Sequence, residues 1–252
     1  MKRNYEIAVI SKGAFARTVR IFAPKRADRA IIMHDGQNVF RDEDAAYKKS
    51  WRAARILKEL GIKNTAIIGI DCTATRNDDY MPFPSEIDEY GIALGGGKAD
   101  AYTDYLEQAI VPYLDKRFGF TQYGMLGSSA GALATLYFAA KKNSAFTAYG
   151  MFSTPLFVSG KAFERFFDER AFDPDAHYSV YAGGNEQTGE VTDPAIDAQV
   201  PQLFVNDAFA VVNGLRKSGA KDIRLLLDNR GTHDETCWRE PAALFFKSFA
   251  AL

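Results

Sequence analysis

Tyr123-Gly124-Met125-Leu126-Gly127-Ser128-Ser129-Ala130-Gly131, running on into Ala132-Leu133-Ala134-Thr135-Leu136-Tyr137, decides the reading of this chain. A short apolar run enters a Gly-x-Ser-x-Gly pentapeptide and a helix-forming run leaves it, which is the layout of a serine held on a sharp strand-to-helix turn. Such a turn tolerates little bulk beside the serine, and Gly127 and Gly131 meet that need while Ala130 adds little. The geometry would lift the Ser129 hydroxyl clear of the backbone, beside a helix N-terminus whose amides favour developing negative charge. Ser128 has no glycine two residues after it and reads as a turn residue. The pentapeptide alone is only suggestive, and a plain Gly-rich turn is the competing reading, so the context has to decide.

Outward from this turn, the chain alternates strands and helices. Tyr5 to Ile10 and Arg17 to Ala23 read as a hairpin turning near Lys12-Gly13. Ala30-Ile31-Ile32-Met33 and Thr65 to Ile70 are short apolar runs that suit buried central strands. Tyr123 to Leu126 enters the serine turn, and Phe146 to Phe152, Tyr178 to Ala182 and Ile223 to Leu227 complete the set. Helices fit Trp51 to Leu60, Ala101 to Arg117 with a kink or restart at Pro112, Ala162 to Asp168, Leu203 to Lys217 and Pro241 to Ala250. The alternation predicts an α/β fold: a mostly parallel central sheet, an antiparallel N-terminal hairpin, and helices on both faces. Residues 1–252 read as a single domain without a linker. The long irregular stretches, Asp71 to Lys98 and Glu186 to Gln202, have the length of functional loops.

Composition narrows the function. The 252 residues are 47% hydrophobic and 25% charged with a formal net charge of −1. This leaves no electrostatic footprint for nucleic acid or an anionic membrane. Two distant cysteines, Cys72 and Cys237, give neither a disulfide framework nor a zinc spacing and fit a reducing compartment. No run approaches transmembrane length and the first residues lack a signal-peptide core, so a cytoplasmic protein is expected.

A serine hydroxyl needs a base to become a nucleophile, and the chain offers three histidines. His177 precedes its strand and would sit at the wrong edge of a parallel sheet; His34 ends the third strand, before the serine turn in sequence. His233, in Asn229-Arg230-Gly231-Thr232-His233-Asp234, follows the last strand and shares the C-terminal edge with Ser129. The orienting acid should follow the penultimate strand in the order serine, acid, histidine. Glu186, after Gly183-Gly184-Asn185, is the first carboxylate there; Glu190, Asp193 and Asp197 share its loop as alternatives. Oxyanion donors are expected from the amides of Ala130 and of Gln37, in the loop His34-Asp35-Gly36-Gln37-Asn38-Val39-Phe40. No metal-ligand spacing is present. Tyr80 and Trp238 are candidate substrate-binding residues, with Phe157 a further aromatic nearby. Arg76 is expected to pair with Asp78 or Asp79, and Cys237 to be a small apolar filler.

These pieces resemble the putative esterase family of α/β-hydrolases, which takes in esterase D-like enzymes, feruloyl esterases, enterochelin-type siderophore esterases and mycolyltransferases. The resemblance rests on His34 to Phe40, Gly69-Ile70-Asp71 with Arg76 and Tyr80, and Gly95-Gly96-Gly97 leading into Ala101-Tyr102. It continues through Leu126 to Leu133, Gly183 to Glu186, and His233-Asp234-Glu235 followed by Trp238. It implies an α/β-hydrolase fold with Ser129 as nucleophile, Glu186 as acid and His233 as base. It implies no organic cofactor and a small-molecule ester as partner. Several relatives carry aspartate at the acid position, which keeps Asp193 and Asp197 in play. Acyl transfer to an alcohol other than water is the alternative activity, and a non-catalytic binding protein on the same fold is the contrasting class.

Overall fold

The computed structural model describes residues 4–85, 95–187 and 197–252. One eight-stranded sheet organises them. Its strands are β1 (Glu6–Lys12), β2 (Phe15–Phe22), β3 (Arg29–Met33), β4 (Thr65–Ile70), β5 (Gln122–Ser128), β6 (Phe146–Phe152), β7 (His177–Gly183) and β8 (Asp222–Asp228). The spatial order is β1-β2-β4-β3-β5-β6-β7-β8. β2 pairs antiparallel with β1 and with β4, and every pairing from β4 across to β8 is parallel. The expected α/β architecture, with its antiparallel start, is the one observed.

The apolar runs become central strands because both of their faces are covered. Ala30 and Ile32 of β3 pack into one layer of the core, while Ile31 and Met33 pack into the other. One layer holds α3 (Ala99–Tyr105), α4 (Val111–Phe118), α5 (Ala130–Ala139), α6 (Lys161–Glu169) and α7 (Val200–Lys217) against the sheet. The other holds α1 (Ala53–Glu59) and α8 (Glu235–Ala251). A side chain such as Ile32 or Phe245, with no exposed surface, contributes about 1.5–3 kcal/mol by leaving water.

Prolines stand in two helices; Pro112 restarts the first, as expected, and only the last helix differs from expectation. The 101–117 helix is three pieces: α3, a π-helical turn Leu106–Ile110, and α4 with Pro112 in its first turn. The wide turn absorbs the lost N–H, so the chain is re-registered rather than broken. The last helix begins at Glu235 rather than Pro241. Asp234 caps it by accepting from the Thr236 amide at 2.8 Å, and Pro241 lies inside it, buried.

A short helix that the sequence does not signal, α2 (Arg76–Tyr80), stands at the C-terminal end of β4. It is pinned from below by an ion pair: Arg17 on the buried face of β2 reaches Asp79 at 2.6 Å, with both side chains under 10% exposed. Thr75 Oγ1 donates to the same carboxylate oxygen at 3.0 Å. Removing one partner of such a pair strands a buried charge. Arg17→Met should therefore destabilise the protein by about 3–5 kcal/mol in urea unfolding, whereas Arg17→Met with Asp79→Asn should recover a large part of the loss; equal stability of the two variants would refute the pairing.

Candidate active site

Strand β5 ends in the serine turn, and the backbone there is strained. Ser129 has φ 55° and ψ −132°, a region that side chains avoid at a cost of about 1–3 kcal/mol. The neighbours permit it. A Cβ at 127 would lie 2.1 Å from the Gly131 carbonyl oxygen, and one at 131 would lie 3.1 Å from His34 Cβ. Any side chain at 127 would force α5 away from β5. The Ser129 amide donates to the Phe152 carbonyl at 3.0 Å, which ties the turn to the end of β6.

The residues after β7 and β8 meet beside it. Glu186 has no exposed surface, and its two carboxylate oxygens are divided between partners. Oε1 accepts from Ser153 Oγ at 2.6 Å and from the Gly183 amide at 2.5 Å. Oε2 lies 2.9 Å from Nδ1 of His233. The imidazole is held laterally by Phe204 and Trp238, with ring centroids at 4.9 and 5.1 Å. With Nδ1 on the carboxylate, Nε2 is the nitrogen left for other chemistry. The structure thus brings Glu186 and His233 together, and places Ser129 on the same rim. Among the described residues no hydrogen bond joins the Ser129 hydroxyl to His233. Asp197 accepts from Gln187 Nε2 at 3.1 Å instead of meeting His233, while Glu190 and Asp193 lie outside the described residues.

The loop after β3 faces the turn. Gly36 packs flat on the end of β4, where a Cβ would come within 2.7 Å of three backbone atoms of Gly69, Ile70 and Asp71. Asp35 is left-handed, with φ 52°, and is held at three points. Its amide donates to Tyr80 Oη at 3.1 Å, and its carboxylate takes Nε and Nη2 of Arg76, both at 2.8 Å. Burial alone would raise the Asp35 pKa, but the Arg76 guanidinium outweighs it and holds the group below its ordinary value. The Gln37 side chain is also committed, accepting from the Cys72 amide at 3.2 Å and donating to Cys72 Sγ at 3.1 Å. Among the described residues the backbone amides of Gln37 and Ala130 have no acceptor. Burial, with Asp35 adding to it, pushes the Cys72 thiol up to about 12, so it stays protonated.

Several expectations are corrected here. Arg76 pairs with Asp35, not with Asp78 or Asp79, because α2 turns its first residue back over the β3 loop. Tyr80 and Trp238 are 1% and 4% exposed, and each spends its polar atom on a partner inside the protein. Trp238 Nε1 donates to Ser153 Oγ at 2.9 Å, and its ring stacks on Trp51. Cys237 is more than an apolar filler, since its sulfur receives the Thr232 amide at 3.3 Å. His177 sits at the far edge between Asp222 and Ser179, and His34 is buried with Nδ1 2.9 Å from Tyr102 Oη. Sequence reasoning passed over Ser153, which links Glu186 to Trp238. Its only sign was a place at the end of a predicted strand, because its left-handed φ of 52° is visible only in three dimensions.

Among the described residues no group of three or more His, Cys, Asp or Glu side chains could hold a metal ion, and no helix is long and apolar enough to cross a membrane.

The family model described as Putative esterase matches residues 16–240. No curated protein matches the chain. Solved structures share its fold at low identity. An IroE-like serine hydrolase from Shewanella oneidensis is 18% identical with a TM-score of 0.77, over 97% of this chain and 79% of that one. The siderophore hydrolase EstA from Aspergillus nidulans is 18% identical with a TM-score of 0.71, over 98% and 95%. The BES protein from Bacillus cereus is 14% identical with a TM-score of 0.69, over 99% and 97%.

Beneath the serine turn, burial lowers the His34 pKa from 6.5 to about 4. The folded protein therefore holds this imidazole neutral, while the unfolded chain takes up a proton between those values. Stability from this source is complete above pH 6.5 and falls as the pH drops towards 4. Between pH 7 and pH 5 it should amount to about 2 kcal/mol. In urea unfolding at both pH values, His34→Gln should show a correspondingly smaller pH dependence than the parent; identical pH dependence would exclude a neutral buried imidazole.

Proposed function

The chain belongs to the putative esterase family and is a carboxylic ester hydrolase, and from that premise we propose that it works through Ser129, His233 and Glu186 by way of an acyl-enzyme. The observation that carries this reading is the fully buried Glu186, whose second oxygen lies 2.9 Å from His233 Nδ1. A carboxylate placed there fixes the tautomer and the ring plane, and stabilises the imidazolium once it forms.

In the first step Ser129 Oγ attacks the ester carbonyl while His233 Nε2 accepts its proton. The tetrahedral oxyanion is received by the amides of Ala130 and Gln37, each worth about 3–4 kcal/mol to the transition state in hydrolases of this kind. His233 then passes the proton to the departing alkoxide. Water attacks the acyl-enzyme with the same base and the same oxyanion donors, and Ser129 is regenerated. Catalytic hydrogen bonds are commonly long in free enzymes and tighten in the complex. The open Ser129–His233 pair fits that behaviour.

The substrate class is a small-molecule ester with a small acyl, aryl or sugar-linked group. The reading includes a single catalytic domain acting in the cytoplasm without an organic cofactor. Two cysteines that form no disulfide are in keeping with that compartment.

Ser129→Ala should lower kcat/KM on an aryl acetate by roughly 10⁴-fold or more and abolish labelling by a fluorophosphonate, with the circular dichroism spectrum unchanged. Glu186→Gln should retain the fold and lose roughly 10²–10⁴-fold in kcat. Full activity of Ser129→Ala would reject the mechanism.

A further inference from the structure

The sheet does not set the distance between the two halves of the candidate site. Gln37 follows β3 and His233 follows β8, and three strands, β5, β6 and β7, lie between them. Four strand spacings are roughly 19 Å, so the loops must arch towards each other and be held there. Among the described residues, one buried hydrogen bond joins the two loops. Asn38 Nδ2 donates to Glu235 Oε1 at 2.7 Å, between side chains 8% and 5% exposed and 197 positions apart in sequence.

Both ends of this bond are rigid. Asn38 Oδ1 accepts from the Ala46 amide at 3.0 Å, and its carbonyl accepts from the Trp51 amide at 2.9 Å. Glu235 stands in the first turn of α8, two residues after His233. Asn38 adjoins Gln37, the proposed oxyanion donor. The nearby Lys49–Asp234 pair at 3.0 Å joins the same segments, but Lys49 is half exposed, and such pairs contribute little. Arg239 donates twice to the Ser50 carbonyl further along α8, beyond the histidine segment.

We propose that Asn38 and Glu235 are positioning residues: their bond fixes the oxyanion turn and the His233 segment at one separation, so that the base and the oxyanion donor address the same ester carbonyl. The inference rests on the hydrolytic reading above. It assigns a purpose to the asparagine of His34-Asp35-Gly36-Gln37-Asn38 and to Glu235, neither of which touches the reacting atoms. A misplacement of about 1 Å between such groups can cost on the order of 100-fold in rate.

The bond can be broken and remade with reversed polarity. In Asn38→Asp, one oxygen still accepts from Ala46 while the other confronts the Glu235 carboxylate, so the bond is lost. In Glu235→Gln the amide oxygen still accepts from Asn38. In the double variant Asn38→Asp with Glu235→Gln, the new amide donates to the new carboxylate. The assay is p-nitrophenyl acetate hydrolysis at pH 8, with kcat expressed per site titrated by a fluorophosphonate, so that loss of folded protein does not count as loss of rate.

N38D should lower kcat per site by about 10- to 100-fold with little change in KM, while E235Q and the double variant stay within about threefold of the parent. Unchanged kcat per site in N38D, or no recovery in the double variant, overturns the proposal. Should N38D fail to fold, Glu235→Ala is read the same way, since it removes the acceptor without adding a charge: a lower kcat per site supports the proposal and an unchanged one overturns it. A parent enzyme that the fluorophosphonate does not label overturns the serine mechanism and the positioning role together, whereas labelling with an unaltered N38D rate overturns the positioning role alone.

Discussion

A carboxylate removed entirely from water is tolerated only where its oxygens are occupied, and Glu186 meets that condition with three partners. Each partner comes from a different part of the rim. Gly183 closes its own strand, Ser153 follows the neighbouring strand β6, and His233 follows β8. The demand for partners therefore draws the ends of three parallel strands together. Trp238 extends the set by donating to Ser153, and Trp51 stacks beneath it. Polar satisfaction and aromatic packing serve the same end here: they leave the imidazole one orientation.

The facing side of the site obeys a second constraint. Backbone amides can receive an oxyanion only if they are not already bonded, so a loop that leaves an amide free relies the more on its side chains. In the Asp35–Asn38 segment, the Asp35 carboxylate is clamped by Arg76, the Gln37 side chain is returned to Cys72, and Asn38 reaches across to Glu235. Arg76 is itself placed by α2, and α2 by the buried Arg17–Asp79 pair. A chain of charge contacts thus runs from the antiparallel edge of the sheet to Asp35, two residues before Gln37. On the proposed mechanism, that chain prepares the oxyanion donors before substrate arrives, so they need no reorganisation during the reaction.

Much of this was legible in the residues for identifiable reasons. Ile67 and Ile68 advertise a strand because both faces of β4 are covered, so its pattern is continuous rather than alternating. The serine turn is legible because steric exclusion admits so few residues beside Ser129. His233 and Glu186 are legible from order alone, because parallel strands deliver every following loop to one edge. Pro112 was legible as the restart of a helix, whereas Pro241 misled, since it stands inside a helix whose N-cap, Asp234, lies outside the local pattern.

The sequence by itself determined the strand-helix alternation, the serine turn, and which residues reach the C-terminal edge, because these follow from steric exclusion and periodicity over a few neighbouring residues. The tertiary structure alone decided that Arg76 clamps Asp35, that Ser153 completes the surroundings of Glu186, and that Asn38 meets Glu235 across 197 positions. Those pairings depend on how loops arch over a twisted sheet, where the choice among many competing carboxylates and donors is settled by burial and not by spacing along the chain.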